Sequence, residues 1–143
     1  AAELQSLFCN NFENHGWIRN RATLRRVMRK CDVFLTLPYY EPFGLMAYEA
    51  ICCGLIPIST KLGLMRYLAG AAKNGLLIEN SSSEESVCQI AFTILLRILK
   101  MKAALRRAIA NQCQTSLDQF NNSTMKIDEA LFVILASMKK WNK

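Results

Sequence analysis

Tyr39-Tyr40-Glu41-Pro42-Phe43-Gly44-Leu45-Met46-Ala47-Tyr48-Glu49-Ala50-Ile51-Cys52-Cys53-Gly54 decides how this chain folds. An apolar run, Val33-Phe34-Leu35-Thr36-Leu37, enters it and has the length of a buried strand. Pro38 and Pro42 break the chain, and Gly44 then opens a helical pattern carried by Leu45, Tyr48, Ala50, Ile51 and Cys52. Gly54 closes that helix, and Leu55-Ile56-Pro57-Ile58 begins a second short apolar run. The reading is strand, loop, helix, strand: one βαβ unit, whose ligand-binding end lies beyond the C-terminal ends of the strands. Free amides near Phe43, Gly44 and Leu45 would make the helix start an anion site. Glu41 and Glu49 would repel phosphate, but carboxylates accept hydrogen bonds well from sugar hydroxyls. Amides for phosphate flanked by carboxylates for hydroxyls suit a nucleoside diphosphate sugar.

The stretch also carries a resemblance. Glu41 and Glu49 are separated by seven residues, with Phe43-Gly44-Leu45 between them and Cys53-Gly54 after Glu49-Ala50. This resembles the donor-site motif of retaining glycosyltransferases with the GT-B fold, the group that includes glycogen, sucrose and lipid-sugar transferases. The likeness begins at Asp32-Val33-Phe34-Leu35, continues through Gly54-Leu55-Ile56-Pro57-Ile58-Ser59-Thr60 and ends near Gly75-Leu76-Leu77-Ile78. It implies that Glu41, the candidate catalytic residue, contacts the donor sugar's hydroxyls and that Glu49 holds the ribose hydroxyls. The amides of Phe43, Gly44 and Leu45 would then sit against the sugar and diphosphate, with Gly63 completing the substrate-binding set. No metal or cofactor is implied, the nucleotide sugar being a substrate. Two departures stand out. Where the family usually has a second glycine and an acidic residue after the position of Gly63, this chain has Leu64, Arg66 and Tyr67. The Arg and Lys that neutralise the diphosphate in the family have no matching positions, and Arg19 or Lys61 are the local substitutes for that charge.

At 143 residues the chain makes one domain at most, with enough length for a core. Its 52% hydrophobic and 20% charged residues exclude a disordered chain and describe an α/β domain. No apolar run reaches the ~20 residues of a membrane span, and Ala1-Ala2-Glu3-Leu4 shows neither a basic start nor a cleavage pattern. Cys9, Cys31, Cys52, Cys53, Cys88 and Cys113 form no Cys-x-x-Cys pair, and His15 is the single histidine, so reduced core cysteines in a cytoplasmic protein are the plainer reading. The net charge of +7 gathers in two clusters. One comprises Arg19, Arg21, Arg25, Arg26, Arg29 and Lys30; the other, Lys100, Lys102, Arg106 and Arg107. Either is a solvated helix face or a docking surface for an anionic membrane, which would make the protein peripheral on that membrane. Neither cluster is interleaved with aromatics or accompanied by a nucleic-acid module signature, which argues against nucleic acid.

In chain order, Leu4, Leu7 and Phe8 predict a helix over 2–9, then a polar loop over 10–14 and a short strand over 15–18. Helical spacing returns over 21–31, with Ala22, Leu24, Val27, Met28 and Cys31 inward and the arginines outward. A strand over 32–37 leads to the motif helix over 44–53 and a strand over 55–59. A loop follows at 61–64, one or two helical turns from Met65 to Ala72, a turn at 73–75 and a strand over 76–79. Ser82 and Ser83 cap a helix over 84–99, a second helix covers 101–113, Asp118 to Asn122 break the pattern, and a final helix spans 124–140.

Alternation of strand and helix predicts a partial Rossmann-like parallel sheet with helices on both faces. Four strands are countable where the resembled domain has six. The expectation is therefore the second half of a GT-B C-terminal domain, incomplete at its N-terminal side and lacking the acceptor-binding N-terminal domain. The acceptor is unspecified, and such a chain alone would bind donor weakly and not turn over. Two rivals remain: a divergent, non-catalytic domain of this fold acting as an interaction or regulatory module, and a basic membrane-docking domain.

Overall fold

The structure is a computed structural model that describes residues 13–68, 73–74, 76–79 and 83–122. Helix α1 (Arg21–Met28) leads into strand β1 (Val33–Thr36), helix α2 (Leu45–Cys52), strand β2 (Ile56–Thr60) and a 3-10 helix (Gly63–Tyr67). Strand β3 (Leu77–Ile78) and the long helices α3 (Glu84–Leu99) and α4 (Ala103–Asn122) follow. The sheet is parallel, in the order β1-β2-β3. Val33 pairs with Ile56 and Thr36 with Ser59, while Ser59 and Thr60 pair with Leu77 and Ile78. All five residues of β2 are buried, so helices cover it on both faces, as a parallel central strand requires.

One apolar cluster joins Ala47 and Ile51 of α2, Ile56 and Ile58 of β2, Val87, Ala91, Ile94 and Ile98 of α3, and Ile109, Cys113 and Leu117 of α4. A smaller one locks α1 in place through Met28, Ala50 and Leu55. Fully burying side chains of this size contributes about 1.5–3 kcal/mol each. Asn20 caps α1 by accepting from the Thr23 amide at 3.0 Å, and Ser83 caps α3 by accepting from the Ser86 amide at 3.3 Å.

Several expectations need correction. Residues 13–20 form no strand. Trp17, its largest apolar side chain, is 88% exposed, so the segment has no buried face to align it. Ala22 and Cys31 of the first helix point outward, because the contact with α2 is a narrow stripe through Leu24, Val27 and Met28. Leu35 is exposed, on the opposite side of the pleat from Phe34, so the β1 run is only partly buried. Leu45, Met46 and Cys52 of α2 are exposed, and its buried positions are Ala47, Ala50 and Ile51. Of the described cysteines only Cys113 is buried; Cys31, Cys52 and Cys88 are exposed, and all are free thiols.

The expected break at Asp118–Asn122 is overridden, α4 running unbroken to Asn122. Leu117 is buried in the core and the Phe120 ring stacks on Tyr67 at 5.8 Å, so tertiary contacts hold a polar stretch helical. Residues 61–64 are not wholly a loop, since the 3-10 helix already begins at Gly63. The helices expected over 2–9 and 124–140, the cap at Ser82 and the turn glycine Gly75 lie outside the described residues, as does Cys9. Among the described residues no helix is long and apolar enough to cross a membrane.

Candidate functional site

At the C-terminal ends of β1 and β2 two loops meet. Thr60 ties them at their root: its Oγ1, buried, donates to the Pro38 carbonyl at 2.9 Å. Leu64 then donates its amide to the Phe43 carbonyl at 3.2 Å, clasping the second loop to the first. The clasp requires glycine. Gly63 has φ +49°, and a Cβ there would lie 2.8 Å from the Glu41 carbonyl oxygen and 3.0 Å from the Phe43 carbonyl carbon. Gly44, the α2 cap, is left-handed with φ 74° and ψ 31°, which turns the chain from loop into helix.

Glu41 is at the centre of this arrangement. Its Oε1 accepts from the Gly44 amide at 2.7 Å and from the Phe43 amide at 3.1 Å. Two amides read from the sequence as bare are thus already satisfied by the neighbouring carboxylate, at the positive end of the α2 dipole. Its second oxygen remains as an acceptor. Tyr39 and Tyr40 rim the loop, 69% and 82% exposed, so neither packs in the core. A hydrogen bond to the Glu84 carboxylate holds the Tyr39 phenol above its ordinary range, with desolvation and the Glu84 charge adding to it. That contact brings the start of α3 to the edge of the site. Phe43 and Leu45 are also exposed beside it.

Glu49 lies further along α2 on the side facing α1. It is largely buried, and its Oε1 meets the Arg21 guanidinium at 3.5 Å. Lys61, a candidate for balancing phosphate charge, is held by Glu79 at 2.8 Å, and Arg19 is exposed. The fold brings Glu41, Phe43, Gly44, Leu45 and Gly63 into one neighbourhood, while Glu49 is turned toward α1. Leu64, at the position of a departure from the family pattern, packs against the core and comes within 3.5 Å of where a Gly44 Cβ would be.

Three features escaped the sequence reading. Thr60 fell just past the expected strand over 55–59, and nothing local marked its bond to Pro38. The Tyr39 to Glu84 contact joins residues far apart in sequence. Glu41 capping its own loop was readable: a carboxylate three residues before a helix-opening glycine is placed to accept from the first amides.

Residues 2–112 match the family model described as "Glycosyl transferases group 1". Over 67 residues the chain is 31% identical to a "GDP-mannose:cellobiosyl-diphosphopolyprenol alpha-mannosyltransferase" of Xanthomonas oryzae pv. oryzae (strain PXO99A). That match covers 47% of this chain and 18% of the relative, so the chain spans a small part of the relative's length. No solved structure matches the chain.

Proposed function

Because the chain belongs to the group 1 glycosyl transferases, we propose that the loop pair at the ends of β1 and β2 binds a nucleoside diphosphate sugar for glycosyl transfer with retention. The observation carrying this reading is the Glu41 loop: a half-buried carboxylate fixed through one oxygen on two amides and backed by the close approach of Gly63. One oxygen is held by protein donors, so the other accepts from a sugar hydroxyl at little cost in ordering. The sugar would be a hexose seated on Phe43, Gly44 and Leu45, with the diphosphate toward the helix start. Breaking the anomeric bond puts charge on the departing diphosphate, which takes up the proton of the acceptor hydroxyl as the new glycosidic bond forms. That charge would be met by amides and basic side chains rather than by a metal, and loss of one such contact commonly costs about 2.7–4 kcal/mol of barrier. Glu49 would hold the ribose, for which it must exchange Arg21 for the ligand. The reading places the chain in a GT-B enzyme whose other domain supplies the acceptor site, so that by itself it binds donor weakly and does not turn over.

A second reading has its own support. Two site amides are satisfied by Glu41 and the Glu49 carboxylate is satisfied by Arg21, a pattern that also suits a divergent, non-catalytic module. Calorimetry with a panel of nucleotide sugars and free nucleotides separates the two. Under the donor reading, Glu41→Ala weakens nucleotide-sugar binding more than nucleotide binding, and Glu49→Gln weakens both. Measured on the full-length enzyme, absence of heat from every member of the panel would overturn the donor reading in favour of the module.

A further inference from the structure

Helix α1 has two unlike sides. Met28 is buried against Ala50 and Leu55, with Leu24 at the edge of that cluster, and this fixes how the helix is turned. Ala22, Arg25, Arg26 and Arg29 then form a single outward stripe at spacings of three and four, around a shallow concavity of about 360 Å³. Among the described residues the arginine of this helix that forms an ion pair is Arg21, with Glu49; Arg25, Arg26 and Arg29 form none. Arg21 and Arg25, and Arg25 and Arg29, are like charges four apart, a repulsion that the dipole offsets in part because Arg25 and Arg26 stand in the last turn. Arg21 is already balanced by Glu49, and an anionic partner would relieve the repulsion that remains among Arg25, Arg26 and Arg29.

Just before the Asn20 cap stands Trp17, 88% exposed. An exposed indole that precedes a helix bearing a row of guanidiniums suits the bilayer interface: the cations meet lipid phosphates while the indole enters the headgroup boundary. Single-stranded nucleic acid would instead call for stacking aromatics along the charged track, and α1 carries none. We infer that the outer face of α1, together with Trp17, docks the protein on an anionic phospholipid surface.

Flotation with phosphatidylcholine vesicles, with and without phosphatidylserine, tests this, because aggregated protein sinks. At low ionic strength the protein should float with the anionic vesicles alone and be released toward physiological salt. Reversing Arg25, Arg26 and Arg29 to Glu should lower partitioning by well over the roughly hundredfold that loss of about 1 kcal/mol per basic residue near the surface gives. Reversing Lys100, Lys102 and Arg107 changes the net charge equally and should alter partitioning only a few-fold. A triple Arg→Gln variant at 25, 26 and 29, checked for helix content by circular dichroism, should lower partitioning roughly a hundredfold without added acid. Equal losses from both reversed triples, no flotation at low salt, or preference for single-stranded RNA over vesicles at matched phosphate would each overturn the inference.

Discussion

Gly63 holds the candidate site together although it has no side chain to offer it. Replacing it with alanine puts a Cβ 2.8 Å from the Glu41 carbonyl at a φ of +49°. Gly63→Ala should therefore cost about 1–3 kcal/mol in a urea melt and disturb the Glu41 loop as well. Glu41→Gln keeps an oxygen for the Phe43 and Gly44 amides and should melt like the parent, whereas Glu41→Ala leaves both amides open and should cost about 1 kcal/mol. Cys113 supplies a pH dependence. Burial pushes its thiol up to about 11 from an ordinary 9.0, so the folded chain holds that proton more tightly than the unfolded one. Stability from this group is complete below about pH 9 and is lost as the pH climbs to about 11. Denaturation midpoints measured across that interval should fall less steeply in Cys113→Ala. At this scale the two glutamates and Gly63 were legible, because a spaced motif names residues. That Arg21 is the arginine paired with Glu49 was not, since it stands on another helix.

Among the elements, α4 is the one whose length the sequence understated. Asp118, Gln119, Asn121 and Asn122 weaken helix propensity by a few tenths of a kcal/mol apiece. Leu117 in the core and Phe120 on Tyr67 outweigh that sum. Leu117→Ala should cost about 2–5 kcal/mol and fray the helix from Leu117 onward, visible as faster amide exchange over 117–122 than over 103–112. The converse case is the expected strand over 15–18. It was expected to be a short strand, but among the described residues no strand pairs with it and Trp17 is exposed. Helix α1 was legible through its period, α2 through the glycines at its ends and α3 through its Ser83 cap, because those signals are local.

For the molecule as a whole, β1 is the consequential edge. It pairs with β2 and, among the described residues, with no second strand, while Leu35 on it is 47% exposed. Phe92 and Leu99 on α3 and Leu105 on α4 are also more than half exposed. An open edge beside apolar surface invites association. The 143-residue chain should show concentration-dependent self-association in sedimentation velocity, reduced by Leu35→Lys with little change in melting temperature. A sharp monomer at all concentrations would mean that this edge is covered in solution.

The sequence by itself determined the βαβ frame, its parallel character and the family motif at the frame's ligand end. Each is written in local period, breakers and spacing, which act within a few residues of where they stand. Only the tertiary structure decided that Thr60 is tied to Pro38, that Glu49 meets Arg21, and that α4 outlasts its propensity. Those outcomes depend on groups distant in sequence or on burial summed over several elements. Such energies exist only once the chain has closed on itself.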